Sequence, residues 1–211
     1  MPPHTPPVPR AWWESFRKAL SAASDRDSAE VKRAWMRWEE RHRIERDPGR
    51  RGSEDKEWTA VMSLFLAELA DDLWACRQDW EKVRPRRKGF GNIDYVWYPR
   101  GENGAPVVLV EHEQQRYGGR TGLRFVAKKL CLAGGKIDPS PLLVLITYLY
   151  APNRGDRWDT TAIQDEVGKG LQGGRLPFLL VIGPEDGDER PPNWPARWQA
   201  FIRSGLGWCP L

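Results

Sequence analysis

Long hydrophobic runs are missing from this chain of 211 residues. A membrane-spanning helix needs ~18 or more consecutive apolar residues, and no stretch approaches that length. No secretory leader is expected ahead of the first polar helix. Cysteine is scarce: Cys76, Cys131 and Cys209 are odd in number, far apart and without a Cys-x-x-Cys pair. That spacing supports neither a structural zinc nor a disulfide frame. It suits a reducing compartment, so the cytoplasm is the expected location. Also missing are a phosphate-binding glycine loop, a dinucleotide fingerprint and a nucleophile elbow.

What is present is globular composition, 40% apolar, in a chain long enough for one good core and a small appended element. Lys plus Arg number 33 against 29 for Asp plus Glu, a net charge of +4. So small an excess identifies no partner by itself, and its distribution matters more. Arg33, Arg37, Arg41, Arg43 and Arg46 fall in one stretch. Arg84, Arg86, Arg87 and Lys88 form a second, and Arg116, Arg120, Arg124, Lys128 and Lys129 a third. Each run alone reads as a solvated surface. There are 12 tryptophans, five of them within the first third (Trp12, Trp13, Trp35, Trp38, Trp58), where packing between helices is the expected role. Stacking on bases or sugars is open for one or two.

Residues 1–10, MPPHTPPVPR, are too rich in proline for regular structure and should form a loose arm. Amphipathic helices are expected at 11–23 and 28–46, with Asp25 or Asp27 available as a cap between them. Residues 1–50 thus read as an arm and N-terminal helical extension, and 51–211 as the main domain. From Glu57 to about Trp80 the pattern is helical, with Trp58, Val61, Met62, Phe65, Leu66, Leu69, Leu73 and Cys76 on one broad face. Asp72 falls inside that face and Glu68 at its margin. Strands are expected near 83–88, 92–98 and 106–113, the last two antiparallel across a short turn. A helix at 121–133, the strand PLLVLITYLY, a helix from Asp159 or Thr160 to about 172 and the strand PFLLVIG follow. PARWQAFI reads as a terminal helix. The expected fold is α/β, a mixed sheet covered by helices.

Into this core the sequence places acids that no fold needs. Val107 to Val110 is an apolar run, and it leads straight into Glu111-His112-Glu113. Along a strand alternate side chains share a face, so Glu111 and Glu113 project together, about 6.6 Å apart at ~3.3 Å per residue. His112 points the other way and reads as a packed histidine. The neighbouring strand can bring Asp94 beside the pair. Three converging carboxylates repel one another unless a cation sits among them, and an all-oxygen set suits magnesium or manganese.

Asp94, followed 17 residues later by Glu111-His112-Glu113 at the end of an apolar strand, resembles the PD-(D/E)xK motif of the restriction-endonuclease-like nuclease superfamily. The third position, usually Lys, is Glu113 here, as in the Glu-x-Glu variant of some type II restriction enzymes. Ile93 stands where the family has Pro. The family core of a helix, three strands, a helix and a strand is similar to residues 57–150 as read above. The resemblance implies a metal-dependent endonuclease with Asp94, Glu111 and Glu113 as catalytic acids. Asp94 and Glu111 would hold Mg²⁺ or Mn²⁺ with the His112 carbonyl, Glu113 a second ion or a proton. Glu68 or Asp72 would complete the site, and Lys128 or Lys88 would replace the missing lysine. Arg116, Arg120, Arg124 and Lys128 are the expected phosphate contacts. DNA is the expected partner, with RNA and a homodimer open and no membrane contact. The competing readings are a nuclease fold that binds nucleic acid or a protein without cutting, a solvated strand end, and a glycosidase with a carboxylate pair.

Overall fold

A computed structural model describes residues 6–24, 65–71, 74–80, 92–100, 104–113, 120–148, 159–171, 176–183, 198–205 and 207–211. The described elements are α1 (Pro9–Ser24), the helical residues 65–71 and 74 (α2), β1 (Cys76–Trp80), β2 (Tyr95–Pro99), β3 (Val108–Glu113), α3 (Arg120–Gly134), β4 (Leu142–Tyr148), α4 (Thr160–Gly170), β5 (Phe178–Gly183), β6 (Gln199–Ser204) and β7 (Gly207–Pro210). The strands form one seven-stranded sheet in chain order. β1, β2 and β3 run antiparallel; β3, β4 and β5 are parallel; β6 and β7 return antiparallel.

The middle of the sheet follows directly from residue type. VLV, LLVLI and FLLVI are buried on both faces, as parallel strands covered by helices on each side must be. On one face α1 and α2 lay Trp12, Trp13, Phe16, Leu66, Leu69 and Ala70 against Tyr95, Trp97, Val108, Val110, Val144 and Ile146. Phe16 stacks 5.1 Å from Trp12 and meets Trp198 edge-on at 5.4 Å. These tryptophans are core, and α1 is built into the sheet's cover. On the other face α3 and α4 bury Leu123, Ala127, Leu130, Ile163 and Val167 against Val96, Leu109, Leu143, Leu145 and Leu180. The two helices approach so closely that a Cβ at Gly170 would lie 2.4 Å from the Arg124 carbonyl oxygen. Asp159 caps α4 by accepting from the Ala162 amide at 2.7 Å.

Pro9 occupies the first position of α1, where its missing N–H breaks no bond. The expected helix at 11–23 is thus present and slightly longer. That at 28–46, its cap and the strand at 83–88 lie outside the described residues. Two expectations are corrected. The helix does not run to Trp80: Ala75 turns into the left-handed region at φ 48°, and Cys76–Trp80 pair with β2 as an edge strand. PARWQAFI is not a helix. Gln199–Ser204 pair with β5, with Trp198 and Ala200 buried while Gln199 is exposed. A period of two was present, but over so few residues the helical and strand patterns coincide, and the open edge of β5 decided. The final strand, GWCP, carries too little apolar pattern to be read at all.

Candidate functional site

β2 and β3 pair Tyr95 with Val110, which sets Asp94 opposite Glu111 just beyond the last pair of that ladder. Leu109 belongs to the α3 side of the sheet, so Glu111 and Glu113 project to that side, with Asp94 level with them by the same alternation. The backbone locks the pair reciprocally. The Asp94 N–H donates to Glu111 Oε1 at 3.1 Å, and the His112 N–H donates to Asp94 Oδ2 at 3.0 Å. Glu113 lies one step further along the strand, half-buried, beside Thr147 on β4. The Thr147 hydroxyl donates to the Glu113 carbonyl at 2.9 Å and pins that strand end. The acids therefore stand toward the carboxyl end of the parallel strands β3 and β4.

Glu111 is only 2% exposed, and its partner is Lys129 of α3, at 8% almost as deeply set. Lys129 Nζ lies 2.6 Å from Glu111 Oε2 and donates to the Asn92 carbonyl at 2.9 Å. Burial, and then the nearby Asp94 charge, push the Glu111 carboxyl up to about 8, with Lys129 pulling the other way. Contact with an ammonium lowers a carboxyl, so here burial and the Asp94 charge together outweigh Lys129. Glu113 is raised for the same first two reasons, again opposed by Lys129. His112, on the opposite face, is pulled down to about 4 by burial, as a neutral core histidine is.

Asp94, Glu111 and Glu113 are thus neighbours in field and backbone, as expected, and His112 faces away from them. Glu68 is not among them. It rides on α2, which packs Leu66, Leu69 and Ala70 against the opposite face of the sheet. Among the described residues, no three His, Cys, Asp or Glu side chains stand as a ready-made metal-binding group. Arg124 is half-exposed and bonds Glu166 of α4 at 3.3 Å, while Lys128 is exposed. Arg120 opens α3; Arg116, Asp72 and Lys88 lie outside the described residues. The residue the sequence reading passed over is Lys129. Its signal was present, since it follows Val126 by three and precedes Ala133 by four, both buried. A lysine whose ammonium is itself buried needs an acid or carbonyl partner, whereas one that only borders the apolar face can reach water.

No protein family, no curated protein and no solved structure matches this chain. Among the described residues no helix is long and apolar enough to cross a membrane.

Proposed function

We propose that this chain is a divalent-metal-dependent nuclease of restriction-endonuclease-like architecture, cutting DNA, with RNA the other nucleic-acid candidate. The observation that carries the reading is the reciprocal Asp94–Glu111 clasp across β2 and β3, with Glu113 two residues on and a buried lysine in contact. Three antiparallel strands, a crossover helix and a parallel strand around that clasp support it. So does the location at the carboxyl end of parallel strands, where α/β sheets open their crevices.

The donors fit magnesium or manganese in kind, being oxygen alone, and in charge, since three carboxylates face one ammonium. They fit less well in geometry, because one oxygen of each clasped acid is already bonded. Asp94 and Glu113 would hold the ion, joined by Glu111 once Lys129 shares it; Glu68 is left out. Such an ion supplies an activated water and neutralises charge on a phosphate. Glu113, its carboxyl raised by burial and by the Asp94 charge, would be the proton acceptor at the cleft. Lys129 provides the fixed positive charge that the motif's third position lacks.

A second reading has one observation in its favour. Glu111 already has Lys129 as a charge partner within the protein, which is what a domain that binds without cutting requires. Incubation with supercoiled plasmid, single-stranded DNA and RNA in Mg²⁺ or Mn²⁺ separates the two. Cleavage by the wild type, reduced ~10²–10⁴-fold in Asp94→Asn with an unchanged circular dichroism spectrum, supports the nuclease. No cleavage of any substrate, and no heat of Mn²⁺ binding by calorimetry, leaves the binding domain.

A further inference from the structure

Glu111 has both carboxylate oxygens engaged. Oε1 accepts the Asp94 N–H at 3.1 Å, and Oε2 lies 2.6 Å from Lys129 Nζ. The ion pair is shut away from water, with the lysine side chain 10% exposed and the carboxylate 2%. A magnesium ion bound to Glu111 would stand ~2.1 Å from a carboxylate oxygen. On Oε2 it would share that oxygen with the ammonium, two cations about 4 Å apart with little water to screen their repulsion. The two exclude one another there. Lys129 has a second attachment, since it donates to the Asn92 carbonyl at 2.9 Å, and an ammonium carries three N–H donors. It can therefore release Glu111 and stay at the cleft, provided that another anion takes over its charge. The same positive charge is felt by the Glu113 carboxyl.

We infer that Lys129 and a divalent ion compete for Glu111, and that a phosphate of the bound nucleic acid drives the exchange. The inference rests on the metal-dependent nuclease reading and adds regulation to it. Before substrate arrives, Lys129 neutralises Glu111. The phosphate then draws the ammonium over, and the carboxylate is released to the ion. Such coupling is reciprocal: nucleic acid tightens the hold on the ion by the factor with which the ion tightens the hold on nucleic acid. A chain without this lysine would take up the ion whether or not a phosphate were present.

The test uses the full chain in two measurements. Mn²⁺ is titrated by calorimetry into wild type, Lys129→Met and Lys129→Gln, with and without a saturating phosphorothioate oligonucleotide, and the heat of the oligonucleotide alone is subtracted. Circular dichroism checks that each variant folds. In wild type carrying isotope-labelled lysine, the Lys129 ammonium resonance, assigned by its contact with Asn92, is followed by NMR as Mg²⁺ and oligonucleotide are added. The expected result is on the order of 10-fold tighter Mn²⁺ binding by the wild type when the oligonucleotide is present. Both variants should bind Mn²⁺ tighter than the wild type without it and gain little more from it, and the ammonium resonance should shift as the ion binds. Variants that bind Mn²⁺ no tighter than the wild type, or a resonance that stays in place while the ion binds, overturn the exchange and leave the metal-dependent reading intact. Should neither variant fold, the wild-type resonance decides alone. Absence of Mn²⁺ binding by every folded protein, with oligonucleotide or without, overturns both.

Discussion

The two faces of the sheet differ in kind. The face under α1 and α2 is aromatic: Trp12, Trp13, Phe16, Trp97 and Trp198 meet there, and the acid cluster lies on the other side. The face under α3 and α4 is aliphatic through its centre and ends in the Asp94, Glu111 and Lys129 cluster. Large rings fill space on the first face and hold the sheet. Smaller side chains on the second let a helix sit close enough for one lysine to reach a strand carboxylate. The described tryptophans are thus mostly structural, and the buried charges lie on the plainer face.

Breaking the aromatic face should have the largest effect on stability. Phe16 is fully buried between Trp12, Trp13, Phe65 and Trp198. Phe16→Ala is expected to cost ~3–5 kcal/mol in urea unfolding, through lost transfer energy and a cavity. If the proposed nucleic-acid binding is present, it should be unchanged per folded molecule, because the sheet keeps α3 and the acids on its other side. A selective loss of binding with no loss of stability would show that the faces are coupled.

On the second face, Lys129→Met removes the cation in contact with Glu111 and should destabilise the fold at pH 8, by less than a full unpaired buried charge would cost because the carboxyl then rises further and takes up a proton. The effect should be smaller at pH 6, where the Glu111 carboxyl, raised to about 8, holds its own proton. Adding Glu111→Gln to Lys129→Met should restore most of the stability, since no buried charge then lacks a partner. Strictly additive losses in that double-mutant cycle would mean the two residues do not act as a pair.

The smallest effect compares neighbours that point to opposite faces. Glu111 moves from about 4.5 in the unfolded chain to about 8 when folded, and His112 from 6.5 to about 4. Between 4.5 and 8 the folded chain keeps a Glu111 proton that the unfolded chain releases, so rising pH disfavours folding. Between 4 and 6.5 the unfolded chain binds a His112 proton that the folded chain refuses, so falling pH disfavours folding. The contributions oppose each other from 4.5 to 6.5, and above 6.5 only that of Glu111 remains. Urea midpoints should therefore decline gently from pH 6.5 to 8, and Glu111→Gln should flatten that decline. Saturating Mn²⁺ should raise the midpoint more at pH 8 than at pH 6 if the carboxylates hold it.

Legibility along the chain followed the range of the forces involved. Strands β3, β4 and β5 were readable because continuous apolar runs of that length are stable only when covered on both faces. The acids were readable because charge at the end of such a run is costly without a partner, and strand alternation put Glu111 and Glu113 on one side without further information. β1 and β6 were not. Each is a short segment whose local pattern admits a helix, and the unpaired N–H and C=O groups of a neighbouring strand decided between the two. Lys128 and Lys129 divide the same way: both belong to one basic run, and only the seating of α3 on the sheet turned one to water and the other to Glu111. The sequence by itself determined which residues must be buried and which carboxylates share a strand face, because these depend on transfer energies and backbone period. The tertiary structure alone decided which lysine meets Glu111 and that α2, with Glu68, packs on the other side of the sheet. Those outcomes depend on how one element rotates against another, and no local pattern encodes that angle.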